Sequence, residues 1–279
     1  MIVLSHFQAG DLLAVHQAGH TITRISLDLG LTMTAVTLTP DQLILPDAVL
    51  AWNEIEDIAQ HEAACFAVEN NHTRMIRGFS ELTGRAYGLM PTASAPTMLI
   101  SGLPMHRIKN TDPYQDTLAK IKTIAPIHGR VLDTCTGLGY TAIEAAKTAE
   151  QVITIELDPT AQEMARLNPW SRSLFDNPKI TSIIGDAFDE IQTFTDGSFA
   201  CLIHDPPMLS LAGDLYSGEF YAECYRVLRR SGKMFHYIGD PDSKSGARTT
   251  KGVARRLQEA GFTRIVPKPQ AFGVVALKQ

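Results

Sequence analysis

Four acidic residues close four short apolar runs, and their placement is the feature of this sequence most able to do chemistry. Asp133 ends Val131-Leu132, Glu156 ends residues 152–155, Asp186 follows residues 179–184, and Asp205 follows residues 198–204. A carboxylate offers two acceptor oxygens, so one acid at a strand end can take hydrogen bonds from both hydroxyls of a ribose. Glu156, one strand–helix unit beyond Asp133, is placed for that task and would repel a 2′-phosphate. Asp186, with Ala187 behind it, is placed to accept from an adenine amino group. Between the first two acids runs Thr134-Cys135-Thr136-Gly137-Leu138-Gly139-Tyr140-Thr141. Gly137 and Gly139 allow a tight turn and a close approach of backbone to ligand.

The fourth acid opens a different chemistry, in the run His204-Asp205-Pro206-Pro207-Met208. An amino group on a planar ring, or an amide, has its lone pair delocalised and is a poor nucleophile. Acceptors that hold its N–H bonds let the nitrogen pyramidalise. The Asp205 carboxylate and the Pro206 carbonyl can supply that pair, with Pro206 and Pro207 fixing the backbone. Asp205 can then act as the base. A base-stacking aromatic is expected after the prolines. Met208 stands there instead, leaving Tyr216, Phe220 or Tyr221 to stack or to pack in the core.

These residues need a scaffold that brings strand ends together. From Gly129 onward strands and helices alternate: strands at 130–133, 151–156, 179–184, 198–204, 233–238, 263–266 and 273–277, helices at 141–148, 161–167, 220–228 and 252–260. Such alternation predicts a parallel sheet covered on both faces, with ligands at the carboxyl ends of its strands. Residues 114–124 read as a helix preceding it. Upstream, Ile25, Leu27, Leu29, Val36 and Leu38 alternate with polar residues as in half-buried strands. Asn53 and Glu56 suggest a capping box opening a helix to residue 62, and residues 69–73 a hairpin turn. The reading is therefore α/β: a small α+β N-terminal domain (1–83), a Gly/Pro-rich connector (84–113) and a doubly wound domain (114–279).

Bulk properties fit a globular chain. Of 279 residues, 44% are hydrophobic and 20% charged. No apolar run approaches the ~20 residues of a membrane span, and the N-terminus lacks the form of a signal peptide, so a cytoplasmic protein without a membrane partner is expected. The four cysteines (Cys65, Cys135, Cys201, Cys224) have no paired spacing and read as reduced thiols. The histidines show no helical metal pair, so no metal site is expected. The net charge of −5 argues against gripping long nucleic acid over the whole surface, but residues 244–256 are locally basic. That stretch reads as a solvated helix face or as a phosphate-contacting patch. Nothing in the sequence sets an oligomeric state.

With these residues in view, the chain resembles the class I S-adenosylmethionine (SAM) dependent methyltransferases. DTCTGLG at 133–139 is similar to their first motif, with Cys135 where many members have glycine. The resemblance covers about residues 114–279. It implies a Rossmann-like sheet with a final antiparallel strand, and SAM held by Asp133, Thr134, Thr136, Gly137, Gly139, Tyr140, Glu156, Leu157, Asp186, Ala187 and His204. Leu157 would pack on the adenine. HDPP at 204–207 is similar to the motif of methyltransferases acting on planar amino groups, which assigns Asp205, Pro206 and Pro207 to catalysis. More narrowly, SLDLGLT (26–32), FSELTGRAYGLMPT (79–92), residues 95–121, LNPWSR (167–172) and residues 204–221 resemble a family of predicted, mainly archaeal methyltransferases described as RNA methylases.

The resulting expectation is N-methylation of a planar amino group, with RNA as the partner and Met208, His106, Arg107, Tyr216 and His236 near the acceptor. The alternatives are methyl or aminopropyl transfer to a small molecule, methylation of a protein glutamine, and SAM binding without catalysis. Aminopropyl transferases usually carry a G-G-G-D-G first motif, which is absent here.

Overall fold

The computed structural model describes residues 1–208, 212–240 and 243–279, except the side chains of Lys244, Ser245, Ala247 and Arg248. The chain divides into two compact units: residues 1–114 with 160–172, and residues 115–159 with 173–279.

Unit 1 is built from β1 (Ile2–Ser5), α1 (His6–Gln17), β2 (Ile22–Ile25), β3 (Thr34–Leu38), β4 (Gln42–Ile44), β5 (Val49–Ala51), α2 (Trp52–Ala59), β6 (Cys65–Glu69), β7 (His72–Met75), β8 (Arg77–Ser80), β9 (Arg85–Met90), β10 (Thr97–Ile100) and β11 (Leu103–Pro104). They form three antiparallel sheets, ordered β1-β6-β7, β2-β3-β4-β5 and β11-β10-β9-β8. Leu4, Leu12, Leu43, Leu50, Ile55 and Ile58 are fully buried in one core. Trp52 closes it, donating Nε1–H to the Thr39 carbonyl at 3.0 Å.

Three expectations for this region are corrected. The helix placed at 53–62 runs Trp52–Ala59 with Ala51 at its N-cap and no side-chain cap. Glu54 in its first turn instead accepts the Thr73 N–H at 2.8 Å. The hairpin turn is only Asn70-Asn71, both left-handed (φ 52° and 63°), a conformation Asn tolerates between paired strands. Residues 84–113 are not a bare connector: they hold β9, β10 and β11. Their glycines and prolines sit in and between short strands, as at the Ser101-Gly102 turn (φ 50° and 81°) joining β10 to β11.

Unit 2 begins in α3 (Pro113–Lys122) and continues with β12 (Arg130–Asp133), α4 (Tyr140–Ala146), β13 (Gln151–Glu156), α5 (Pro159–Arg166, grouped with unit 1 from residue 160), α6 (Arg172–Asp176), β14 (Ile180–Ile184), α7 (Ala187–Glu190), β15 (Phe199–His204), α8 (Gly218–Val227), β16 (Leu228–Tyr237), α9 (Lys244–Glu259), β17 (Arg264–Lys268) and β18 (Gly273–Leu277). One seven-stranded sheet has the order β14-β13-β12-β15-β16-β18-β17. The first five pair in parallel, and β18 is antiparallel to both neighbours. Central β15 is buried at all six positions, as a strand covered on both faces must be. Leu132, Leu202, Met234 and Ala276 join Phe220, Val227, Val253 and Leu257 in the core on one face.

The strand expected at 233–238 is the second half of the longer β16. Ser231 has φ 61°, and a Cβ on Gly232 would lie 2.7 Å from the Arg229 carbonyl oxygen, so the bend needs glycine. The helix expected at 252–260 starts earlier, capped by Ser243, whose hydroxyl accepts the Gly246 N–H at 2.9 Å. Of the basic run, Val253 and Leu257 face the core while Lys251 and Arg255 are exposed. No helix among the described residues is long and apolar enough to cross a membrane. Nor do the described residues contain a His/Cys/Asp/Glu group placed to hold a metal ion.

Candidate active site

Parallel pairing of β14, β13, β12 and β15 sets Glu156, Asp133 and the loops carrying Asp186 and Asp205 along one edge of the sheet. The Gly loop is drawn over that edge by main-chain bonds. Thr134 N–H donates to Ile203 O at 3.0 Å, Thr136 N–H to Ile155 O at 2.9 Å and Gly139 N–H to Thr136 O at 2.7 Å. Gly137 (φ 53°) has open space where a side chain would begin, so ligand can approach its backbone. Gly139 (φ 77°) is close-packed instead: a Cβ there would sit 2.7 Å from Leu174 Cδ2.

Two acids brace this loop. Glu156 accepts the Gly137 N–H at 2.8 Å on one oxygen and the Asp158 N–H at 3.1 Å on the other. Each oxygen retains a second lone pair for a ligand hydroxyl. Asp133 is fully buried and takes hydroxyl hydrogen bonds from Thr141 (2.9 Å) and Thr154 (3.2 Å) on Oδ2, while Oδ1 has no side-chain partner among the described residues. Burial pushes both carboxyls up to about 7. Leu157 beside Glu156 is 48% exposed, an apolar surface at the place expected for the adenine. Asp186 caps α7 by accepting the Phe188 N–H at 2.8 Å on Oδ1, and it is exposed. A strand-end carboxylate with free lone pairs, an exposed apolar side chain and an open glycine together fit an adenosyl group.

Several expected ligand contacts belong instead to the support beneath the loop. His204 is fully buried. Its Nε2 lies 2.9 Å from the Leu215 carbonyl and its Nδ1 2.6 Å from the Thr134 hydroxyl. A carbonyl only accepts, so Nε2 carries the proton and Nδ1 accepts from Thr134. Burial presses its pKa down to about 3, which keeps the ring neutral. His236, paired with His204 across β15 and β16, is fully buried and bonds Tyr221 Oη at 2.8 Å. It therefore does not line an acceptor pocket. The reason is strand parity: His204 and His236 lie two residues beyond Leu202 and Met234 and so share the face packed against α8.

Thr136 is also turned inward, 2.7 Å from the Thr154 hydroxyl. Tyr140 and Ala187 are buried. Tyr216 is buried and donates to the Pro207 carbonyl at 3.0 Å, which anchors the proline turn and removes Tyr216 as a stacking platform. Phe220 and Tyr221 are fully buried, whereas Met208 is 55% exposed. His106 and Arg107 belong to unit 1, where His106 Nδ1 lies 3.0 Å from the Thr97 hydroxyl. Trp170 also belongs to unit 1, donating Nε1–H to the Leu29 carbonyl at 3.0 Å.

At Asp205 the structure adds a partner that motif reasoning overlooked. Lys120 Nζ lies 2.6 Å from Asp205 Oδ2 and 2.8 Å from Asp116 Oδ2. The Lys120 and Asp116 side chains are 3% and 0% exposed, but Asp205 is 20% exposed. The Asp116/Lys120 spacing of one helical turn was legible, but their meeting with a residue 85 positions away was not. Asp205 Oδ1 has no hydrogen-bond partner among the described residues. The site thus joins an edge that fits an adenosyl group to a partly exposed carboxylate able to hold or accept a proton.

A family model described as a methyltransferase domain matches residues 132–236, spanning the first acid to the end of β16. Uncharacterized protein MJ1233 of Methanocaldococcus jannaschii is 50% identical over 194 residues, 69% of this chain and 67% of that protein. Polyamine aminopropyltransferase 2 of Streptomyces coelicolor is 27% identical over 253 residues, 86% of this chain but 43% of that protein. This chain thus spans less than half of that relative. Among solved structures, spermidine synthase in complex with the transition state analogue AdoDATO superposes with a TM-score of 0.59 at 20% identity, covering 76% of this chain and 78% of that one, a likeness of fold. The chain belongs to the same family as protein MJ1233, and it is an enzyme of the class I SAM-dependent methyltransferase fold with SAM as its cofactor.

Proposed function

We propose that this enzyme transfers a methyl group from SAM to a nitrogen of a small amine. The observation that carries this reading is Asp205: a one-fifth exposed carboxylate at the end of β15 with one oxygen clamped by Lys120 and the other without a hydrogen-bond partner among the described residues. Bound cofactor supplies an electrophilic methyl carbon on a sulfonium. The chain's own part is to bring a nitrogen lone pair to it. Oδ1 of Asp205 and the Pro206 carbonyl accept N–H bonds from the acceptor, and the prolines and the Tyr216 hydroxyl hold both acceptors still. When the acceptor arrives as an ammonium, its proton moves to Asp205 Oδ1. The N–H bond breaks, an O–H bond forms, and the electron pair stays on nitrogen.

The small-amine reading displaces RNA as the leading acceptor. The aromatics that would stack on a base, Tyr216, Phe220 and Tyr221, are buried, and the residue after the prolines is an exposed methionine. The RNA reading keeps the Asp205-Pro206-Pro207 run in its favour. Aminopropyl transfer from decarboxylated SAM is the second reading, favoured by the aminopropyltransferase likeness that extends over most of the chain.

The deciding experiment incubates the protein with labelled SAM or decarboxylated SAM, each against diamines, polyamines, total RNA and protein. Mass spectrometry then reads the products. An amine heavier by one methylene supports the proposal. An amine heavier by one aminopropyl group selects the second reading. Label in RNA alone overturns both.

A further inference from the structure

The cluster of Asp116, Lys120 and Asp205 has a composition that packing does not require. Taking three charged groups out of water is costly, and an apolar trio of similar volume would be as stable. The ammonium is held from several sides: Asp116 Oδ2 at 2.8 Å, Asp205 Oδ2 at 2.6 Å, and the Tyr237 ring with its centroid 4.6 Å from Nζ. It has no freedom to leave. Of the two carboxylates, Asp116 is sealed and Asp205 is partly exposed. Asp205, the exposed member, is where a ligand meets the cluster.

We infer that Lys120 is the positioning residue of this site: it clamps Oδ2 of Asp205 and presents Oδ1 to the acceptor nitrogen. This deepens the amine reading and rests on it for the choice of ligand, but the clamp itself can be tested without any acceptor. Among the described residues, the charged or titratable groups around Asp205 are Lys120 and Asp116 from α3, Asp133 and Cys135 from the end of β12 and its loop, Tyr216 beyond the proline turn, and Tyr237 at the end of β16 against Lys120. Burial raises the Asp205 carboxyl above its ordinary range, Lys120 pulls it down and Asp116 pushes it up. Lys120 therefore opposes the upward push of burial on Asp205, and Asp116 adds to that push. Burial alone would lower the Lys120 ammonium, but the two carboxylates outweigh it and hold it above its usual value.

The test reads the proton on Asp205 by infrared titration, following the carboxyl band that disappears in Asp205→Asn, with no acceptor present. Lys120→Met should raise the titration midpoint by about 1–3 pH units, and Asp116→Asn should lower it. If Lys120→Met does not fold, the Asp116→Asn shift decides alone, because that variant keeps the Lys120–Asp205 pair. A midpoint unmoved in Lys120→Met, or unmoved or raised in Asp116→Asn, overturns the inference. A separate arm measures calorimetric binding of putrescine to the wild type. Shifts as expected without putrescine binding keep the clamp and remove the amine as its ligand. Binding with unmoved midpoints removes the clamp and leaves the amine reading standing.

Discussion

The two units meet the same burial requirement with opposite strand arrangements. Unit 1 splits its strands among three antiparallel sheets, so carboxyl ends alternate between opposite edges and no edge gathers them. Unit 2 lays five strands in parallel, and every loop leaving a carboxyl end emerges on one side. Four acids spaced along the sequence become neighbours only in the second arrangement. Chemistry that needs several carboxylates converging on one ligand is therefore concentrated in unit 2 by topology alone.

The strongest way to break this contrast is to remove the acid assigned to the acceptor. Asp205→Asn should lower amine transfer by about 100- to 10,000-fold while SAM still binds by calorimetry. Transfer at the wild-type rate would end the case for that edge. Next is the close-packed loop. Gly139→Ala adds a Cβ against Leu174 at a positive φ, which should cost about 2 kcal/mol or more in urea unfolding. Leu174→Ala in the same chain should recover part of that loss.

The pH dependence of stability carries a defined sign. Asp133 is fully buried, and its folded-state pKa is raised from 3.8 to about 7. Its favourable contribution is present below the unfolded value and lost as pH rises through about 7. Asp133→Asn should therefore gain stability relative to wild type by on the order of 1 kcal/mol per pH unit across that window. Equal pH profiles for the two proteins would contradict the assignment. The smallest effect belongs to unit 1: Trp52→Phe loses the hydrogen bond to Thr39 and should cost about 1 kcal/mol of stability with transfer unchanged. A loss of transfer there would show that the chemistry is not confined to unit 2.

The same contrast explains what could be read in advance. Strands β12, β13 and β18 fall at their expected bounds, because a strand buried on both faces is a continuous apolar run cut off by an acid or glycine. Short, partly solvated strands such as Arg85–Met90 carry glycine inside them and resemble loops. Helix α1 was overlooked because Gly10 and a weak apolar stripe hide it, although Ser5 and Gln8 marked its start: the Gln8 side chain accepts the Ser5 N–H at 3.0 Å. The placement of Asp133, Glu156 and Asp205 along one edge was legible from spacing, since each closes or directly follows a strand, and Gly137 lies in the loop after the first of them. His204, His236 and Tyr216 were misplaced because nearness in sequence to a strand end does not fix the face. Counting in twos from Leu202 and Met234 would have turned both histidines inward. Lys120 was invisible because its role exists only once α3 meets the end of β15.

One feature of the sheet bears on how the protein is made. The last strand, Gly273–Leu277, lies between β16 and β17 rather than at an edge. On the ribosome, β17 has no neighbour to join until residue 277 has cleared the exit tunnel. The edge that bears the carboxylates can begin to assemble during translation, while the far side of the sheet waits for its missing middle. Shortening the chain by its final seven residues would therefore strand β17 rather than trim a border.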